Sequence, residues 1–173
     1  MAHHTLKSAY ASLTERLNRF PQGAPPSELL EKILGILFSE REARLVSLLP
    51  IKPFSAEKAA VIWKLPAAKA EGILQTLAGR ALLLDMETPQ GRTYLLPPPM
   101  AGFFEFSMMR IRHDVDQKVL AELFYQYLNV EEDFIKQLFT RGETQLGRTF
   151  VNEEALIENN KIVGIITDGD LRR

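Results

Sequence analysis

Apolar positions recur at steps of three and four residues along the first half of the chain, a spacing that predicts amphipathic helices. The first helix is predicted over 5–20, with Arg16 among the polar positions between its apolar residues. Residues 21–26 contain three prolines and one glycine. Since proline lacks a backbone donor and glycine is conformationally free, this stretch predicts a short linker.

Serine and proline mark the boundaries of the next predicted helices. Ser27 and Ser55 stand at N-cap positions, the first ahead of an apolar face over 29–38 and the second ahead of a helix over 56–63. Apolar residues at 43–49 predict another helix, which Pro50 and Pro53 end. Pro66 is tolerated in a first helical turn, so a further helix is predicted over 67–78.

After Gly79 the pattern changes from helical to extended. Strands are predicted over 81–86 and 92–96, with turn-forming residues at 87–91 between them. A hairpin that follows two short helices is the layout of a winged helix-turn-helix. The predicted fold class is therefore mainly α with α+β character: a winged helix-turn-helix with a small β-hairpin wing and flanking amphipathic helices.

Four segments follow from this pattern: an N-terminal helix and linker (1–26), a winged-helix domain (27–99), a C-terminal helical extension (100–156) and a short tail (157–173). The extension contains an aromatic-rich stretch at 100–109 and predicted helices over 115–128 and 131–139. The expected core of the protein comprises Leu30, Ile33, Leu34, Leu37, Leu45, Leu48, Ile62, Trp63, Leu74, Leu77, Leu83 and Leu95.

Composition narrows the function classes. The chain has 173 residues, a formal net charge of −1 and no cysteine. Disulfides, cysteine-ligated clusters and a cysteine nucleophile are thereby excluded for these residues. No apolar run approaches the roughly 20 residues that a membrane span requires, and no signal-peptide pattern opens the chain. We expect a cytoplasmic protein with no membrane partner.

Candidate catalytic chemistry is sparse. His113 lies among charged residues but lacks a second histidine, a nucleophile or an orienting group, so a solvated surface position is favoured over a general base. The glycine-rich phosphate-loop patterns do not occur. Neither an enzyme nor a cofactor or metal is expected. Arg141 and Arg148 flank a Thr-Gln segment and are candidates for contact with an anion.

The predicted recognition helix, 67–78, raises the question of DNA binding. Its neighbourhood offers few cations, and residues 27–99 hold nine Lys and Arg against eight Asp and Glu, a net charge of +1. Non-specific DNA affinity depends on several phosphate contacts. Two hypotheses remain open: a protein-interaction or homo-oligomerisation module, which is favoured, and a DNA-binding domain. The candidate contact residues for either partner are Lys64, Lys69, Gln75, Thr76, Arg80 and Arg92.

Several longer sequence segments resemble those of a known protein family. They lie at 18–25, 49–54, 96–106, 122–127 and 140–148. Over 17–156 the chain resembles the N-terminal region of bacterial and archaeal 4Fe-4S ferredoxin-type iron–sulfur proteins. In that family a cysteine-rich cluster domain follows this region. Because the present chain lacks cysteine, the resemblance implies the helical module without the redox function.

The last residues carry a second resemblance. Residues 159–173 are similar to a strand-turn-helix phrase of CBS domains, in the form found in arabinose-5-phosphate isomerases. In those domains the spacing shown here by Gly164, Thr167 and Asp170 lets the hydroxyl and the carboxylate hold the phosphate and ribose of a nucleotide. A fragment of this length lacks the rest of the CBS-domain sheet, so the favoured interpretation is a fused or truncated tail that binds no nucleotide. Its apolar residues, 162–166, would then form an edge strand.

Overall fold

The computed structural model describes residues 2–20, 23–89, 91–109, 111, 113–131, 134 and 136, with the backbone alone at 2–8 and 101. The described part is mostly helical and contains one small antiparallel sheet. The coarse prediction of a mainly helical α+β protein is therefore confirmed. None of its helices combines the length and the apolar character needed to cross a membrane.

Three helices open the chain: α1 (Ala2–Leu17), α2 (Glu28–Leu37) and α3 (Glu40–Ser47). The predicted cap of α2 is confirmed, because the Ser27 hydroxyl accepts a hydrogen bond from the Leu30 amide at 3.1 Å. A capping box begins α3: the Ser39 amide donates to the Glu42 carboxylate at 2.8 Å, and Ser39 Oγ accepts from the Glu42 amide at 3.3 Å. These caps fix where two adjacent helices start.

The middle of the chain runs β1 (Phe54–Ser55), α4 (Ala56–Trp63), α5 (Ala67–Gly79), β2 (Leu84–Thr88) and β3 (Gly91–Leu95). The strand order is β1-β3-β2, and every neighbour is antiparallel. Phe54 pairs with Tyr94, so the two-residue strand β1, which periodicity did not predict, joins the hairpin to the start of α4. Three residues, 64–66, connect α4 to α5.

A left-handed residue that is not glycine follows both α4 and α5, directly after α4 and two residues after α5. Lys64 has a φ of 54°, and Ala81 has a φ of 58°. The amide of Leu65 donates to the Ala60 carbonyl at 3.0 Å, and the amide of Leu82 donates to the Leu77 carbonyl at 3.0 Å. Bonds of this kind close helix C-termini where glycine is normally preferred. The turn at Ala81 also delays β2, which begins at Leu84 instead of the predicted position 81.

The C-terminal described part consists of a wide helical turn (Pro99–Phe103), α6 (Phe104–Met108), α7 (Gln117–Tyr125) and a second wide turn (Gln126–Val130). Each wide turn closes with a bond from an amide to the carbonyl five residues earlier, as from Glu131 to Gln126 at 2.9 Å. Asp116 caps α7. The predicted helix over 115–128 is thus confirmed at its centre and changes geometry after Tyr125.

One hydrophobic core contains buried residues from Ala9 to Phe134. Phe104 lies at its C-terminal side, where ring centroids of Phe103 and Phe124 stand 4.8 Å and 4.9 Å away. The Tyr127 hydroxyl donates to the Pro25 carbonyl at 2.8 Å. Residues after Pro99 therefore fill the same core as the predicted winged-helix segment.

Most of the predicted core positions are buried, but one prediction was wrong. Leu48 is 59% exposed, whereas its neighbour Leu49 is 1% exposed. Leu48 is the residue at which α3 ends, so the chain leaves the helix there and turns Leu49 inward. Leu45, Ile62 and Leu95 are half-buried.

Arg16 also departs from its predicted polar, outward position, because its side chain is buried. Its Nε donates to the Leu49 carbonyl and its Nη2 to the Pro50 carbonyl, each at 2.7 Å. Burial, with Arg19 adding repulsion, lowers the pKa of the Arg16 guanidinium to about 10. The guanidinium therefore carries its charge at neutral pH and interacts favourably with the partial negative charge of the two carbonyl oxygens that follow α3.

Candidate partner-contact surface

The outward side of α5 carries the candidate contact residues that helical periodicity predicted. Seven positions of α5 are exposed: Ala67, Ala68, Lys69, Glu71, Gly72, Gln75 and Thr76. Ala70, Leu74 and Leu77, at the intervening helical positions, are buried. The exposed positions therefore lie together on the side of α5 that faces away from the core.

Two sides of this surface differ in charge. Lys69 and Gly72 line a groove that α5 forms with α3. Burial raises the pKa of the Tyr94 hydroxyl on β3; Arg92 opposes that shift, whereas the carboxylates of Glu71 and Asp85 add to it. Lys69, the one cation of α5, therefore lines the groove with α3, whereas Glu71, its one carboxylate, acts electrostatically on Tyr94 of the hairpin.

Polar side chains on α5 bond within the helix. Gln75 Nε2 donates to Glu71 Oε1 at 3.2 Å, and Thr76 Oγ1 donates to the Gly72 carbonyl at 2.8 Å. A base edge would have to compete with these bonds for the same donor groups. Gln75 and Thr76 are exposed but offer partly satisfied polar groups.

Arg80 is held by an internal ion pair. Its Nη2 lies 2.5 Å from Glu42 Oε1, and both side chains are at least three-quarters covered. Burial opposes ionisation of Glu42, but hydrogen bonds from Arg80 and Ser39 outweigh it, and the pKa of the carboxyl is lowered. This pair ties the C-terminal end of α5 to α3, so Arg80 does not project outward as a free cation.

The hairpin carries more acid than base. Arg92 lies 2.6 Å from Glu87 and 3.8 Å from Asp85, so its charge is matched by two carboxylates. The guanidinium hydrogen-bonded to Glu87 has its pKa raised. Among the predicted contact cations, Lys64 and Lys69 are exposed and form no ion pair within the described part of the chain.

The groove between α3 and α5 has a volume of about 490 Å³. Arg41 contributes a second cation to its rim, and this residue was missed by the sequence reasoning. No local pattern marks Arg41, because only the packing of α3 beside α5 brings it to the same groove as Lys69. The lining residues are Ser39, Arg41, Glu42, Leu45, Lys69, Gly72, Ile73 and Thr76.

The remaining candidates are not part of this surface. His113 is exposed in the segment between α6 and α7. Within the described ranges, no group of three or more histidine and acidic side chains is arranged to hold a metal ion. Arg141, Arg148 and the CBS-like residues 159–173 lie outside the described residues.

Comparison with known proteins adds no relative to this picture. No protein-family model matches the chain, and no curated protein or solved structure is significantly similar to it.

Proposed function

We propose that this chain is a non-catalytic winged-helix module that contacts a protein partner or a second copy of itself through the outward side of α5. The observation that carries the proposal is the electrostatic character of that side. Along α5 one cation, Lys69, stands against one carboxylate, Glu71, and on the hairpin Arg92 is matched by Glu87 and Asp85. A duplex-binding surface instead concentrates unpaired cations along the phosphate backbone.

The order of elements supports a winged-helix assignment. A strand precedes the two helices α4 and α5, a three-residue turn joins them, and a hairpin follows. In the helix-turn-helix arrangement, two helices joined by a short turn present the second one outward. The sheet order β1-β3-β2 places the hairpin beside β1, at the start of α4.

Small side chains make the outward side of α5 suitable for close approach. Ala67, Ala68 and Gly72 are exposed, and a Cβ atom added at Gly72 would meet no atom within 4 Å. Short side chains lose little conformational entropy when a partner covers them. They also provide few groups that read base edges.

The resemblance to the N-terminal region of 4Fe-4S ferredoxin-type proteins adds a proposed context. In that context the module would dock onto, or regulate, a redox partner. The chain contains no cysteine. Any cluster would therefore be ligated outside these 173 residues, which would supply only the contact.

The alternative function is duplex DNA binding, and Gly72→Arg separates the two. The substitution adds a cation to an open position on α5, so it should strengthen DNA binding but obstruct a protein contact. We expect the wild-type chain and the variant to leave a labelled duplex unbound at about 50 mM salt. Binding that falls steeply by about 200 mM salt, and that Gly72→Arg strengthens, would favour the DNA-binding function instead.

Sedimentation velocity over a concentration series then identifies the kind of protein partner. Concentration-dependent association that Gly72→Arg abolishes would indicate self-association through α5. If the chain is a monomer at every concentration, the partner of the α5 surface is a different protein and not a second copy of this chain. The matched control is Lys32→Glu, an exposed substitution on α2 that should change neither measurement.

A further inference from the structure

The groove between α3 and α5 combines an apolar floor with a positively charged rim. Leu45 and Ile73, both half-buried, supply the apolar side chains. The rim cations are Arg41 on α3 and Lys69 on α5, both exposed and without an ion pair in the described part of the chain. These features favour a ligand that brings both a carboxylate and an apolar side chain.

The nearest carboxylate does not cancel this charge. Glu42 lines the same groove, but Arg80 pairs with it at 2.5 Å and Ser39 donates to it at 2.8 Å. The neighbouring Glu40 forms its own ion pair with Arg44, one turn along the same helix. Arg41 and Lys69 are therefore left to attract an external negative group.

Gly72 leaves room for that ligand. It lines the groove, and a Cβ atom at this position would meet nothing within 4 Å. The groove has a volume of about 490 Å³ and is open to solvent, so a chain segment can lie along it. An extended or helical peptide can place one apolar residue over Leu45 and Ile73 and a neighbouring carboxylate within reach of either cation.

We propose that this groove binds an acidic peptide segment of a partner protein, one that carries an apolar anchor residue beside Asp or Glu. The inference rests on the proposed protein-contact function and specifies its partner. A DNA backbone fits less well, because two cations offer few phosphate contacts and the apolar floor gains nothing from a phosphodiester. Charge complementarity of this kind determines partner choice and association rate.

The test is a displayed library of random short peptides selected on the folded wild-type chain. Selected peptides should be enriched in Asp or Glu next to Leu, Ile, Phe or Trp. Measured by fluorescence polarisation, they should bind the double variant Arg41→Glu/Lys69→Glu at least about tenfold more weakly, because two attractive charges become repulsive ones. Gly72→Leu, which fills the groove without changing charge, should weaken binding as well.

The double variant Lys32→Glu/Lys58→Glu is the matched control, since it makes the same change in net charge at exposed positions outside the groove. It should retain wild-type affinity, and a thermal melt should show that every variant is folded. Selected peptides without an acidic excess would contradict the proposal that the groove binds an acidic peptide, and so would equal binding by the groove variant and the wild type. Neither result would contradict the proposed protein-contact function. Salt-sensitive duplex binding lost in Arg41→Glu/Lys69→Glu would overturn both.

Discussion

At the scale of single residues, the left-handed backbone at Lys64 has a measurable cost. An L-residue in this region loses roughly 1–2 kcal/mol relative to glycine, and part of that is offset by the greater entropy of glycine in the unfolded chain. We expect Lys64→Gly to raise the free energy of unfolding by about 0.5–1 kcal/mol in urea denaturation. Lys64→Ala keeps the Cβ atom and should bring no such gain; equal stabilisation by both variants would contradict the explanation.

Arg16 illustrates a buried charge whose partners are carbonyl groups. Arg16→Met keeps much of the side-chain volume but leaves the Leu49 and Pro50 carbonyls without their donor. We expect a loss of about 2–4 kcal/mol in the free energy of unfolding. Arg16→Lys should recover only part of it, because one ammonium cannot reproduce the planar two-donor geometry. A variant as stable as the wild type would show that the two bonds contribute nothing net.

The lowered pKa of Glu42 makes the free energy of unfolding depend on pH, and it fixes the direction of that dependence. Its pKa is lowered in the folded chain from a reference value of 4.5, so the pair with Arg80 stabilises the fold above that pH and loses its effect as the pH falls through the folded pKa. Glu42→Gln should cost about 2 kcal/mol at neutral pH. The difference from wild type, followed by urea denaturation at several pH values, should shrink in acid; a constant difference would contradict this assignment.

At the scale of helices, the same substitution on two leucines tests the core assignment. Leu34 on α2 is fully buried, whereas Leu48 at the end of α3 is 59% exposed. Leu34→Asp should abolish the cooperative melt, because an unpaired buried carboxylate costs several kcal/mol. Leu48→Asp should stay within about 0.5 kcal/mol of wild type, as surface substitutions usually do. A loss of folding in both would place Leu48 in the core after all.

The sequence predicted helices well where capping serines and periodicity agree. Ser27 and Ser55 begin α2 and α4 as predicted, and the exposed positions of α5 follow from the 3.6-residue period. Strand β1 escaped prediction because two residues are too short for alternation to register. The start of β2 was misplaced for a different reason: Ala81 adopts a left-handed turn after α5, and no glycine at that position signals it.

At the scale of the whole molecule, the C-terminal extension shares its core with the predicted winged-helix segment. The Phe104 ring stands within 6.3 Å of four other aromatic rings, from Phe103 to Phe134. Phe104→Ala should therefore lower the free energy of unfolding by about 3–5 kcal/mol while the melt remains a single transition. Phe106→Ala, at a half-buried position, is the control and should cost less. Two separate transitions would indicate independent domains.

The candidate site is predictable from sequence only in part, because it depends on packing between helices. The exposure of Lys69 follows from its place on α5. The pairing of Arg80 with Glu42 and the shared groove of Lys69 with Arg41 arise only when α3 lies beside α5. Ion pairs between residues 38 positions apart leave no local signature in the sequence.

The hydrogen bond from Tyr127 to Pro25 joins residues 102 positions apart. A ribosome adds roughly 5–20 residues per second, so about 5–20 s separate the synthesis of these two partners. Throughout that interval α2 lacks α7 and the wide turn after it, which pack against α2 in the folded chain. A chaperone can therefore bind the nascent chain most readily before Tyr127 emerges from the ribosome. In ribosome profiling of chaperone-bound chains, chaperone occupancy should end after that residue has emerged.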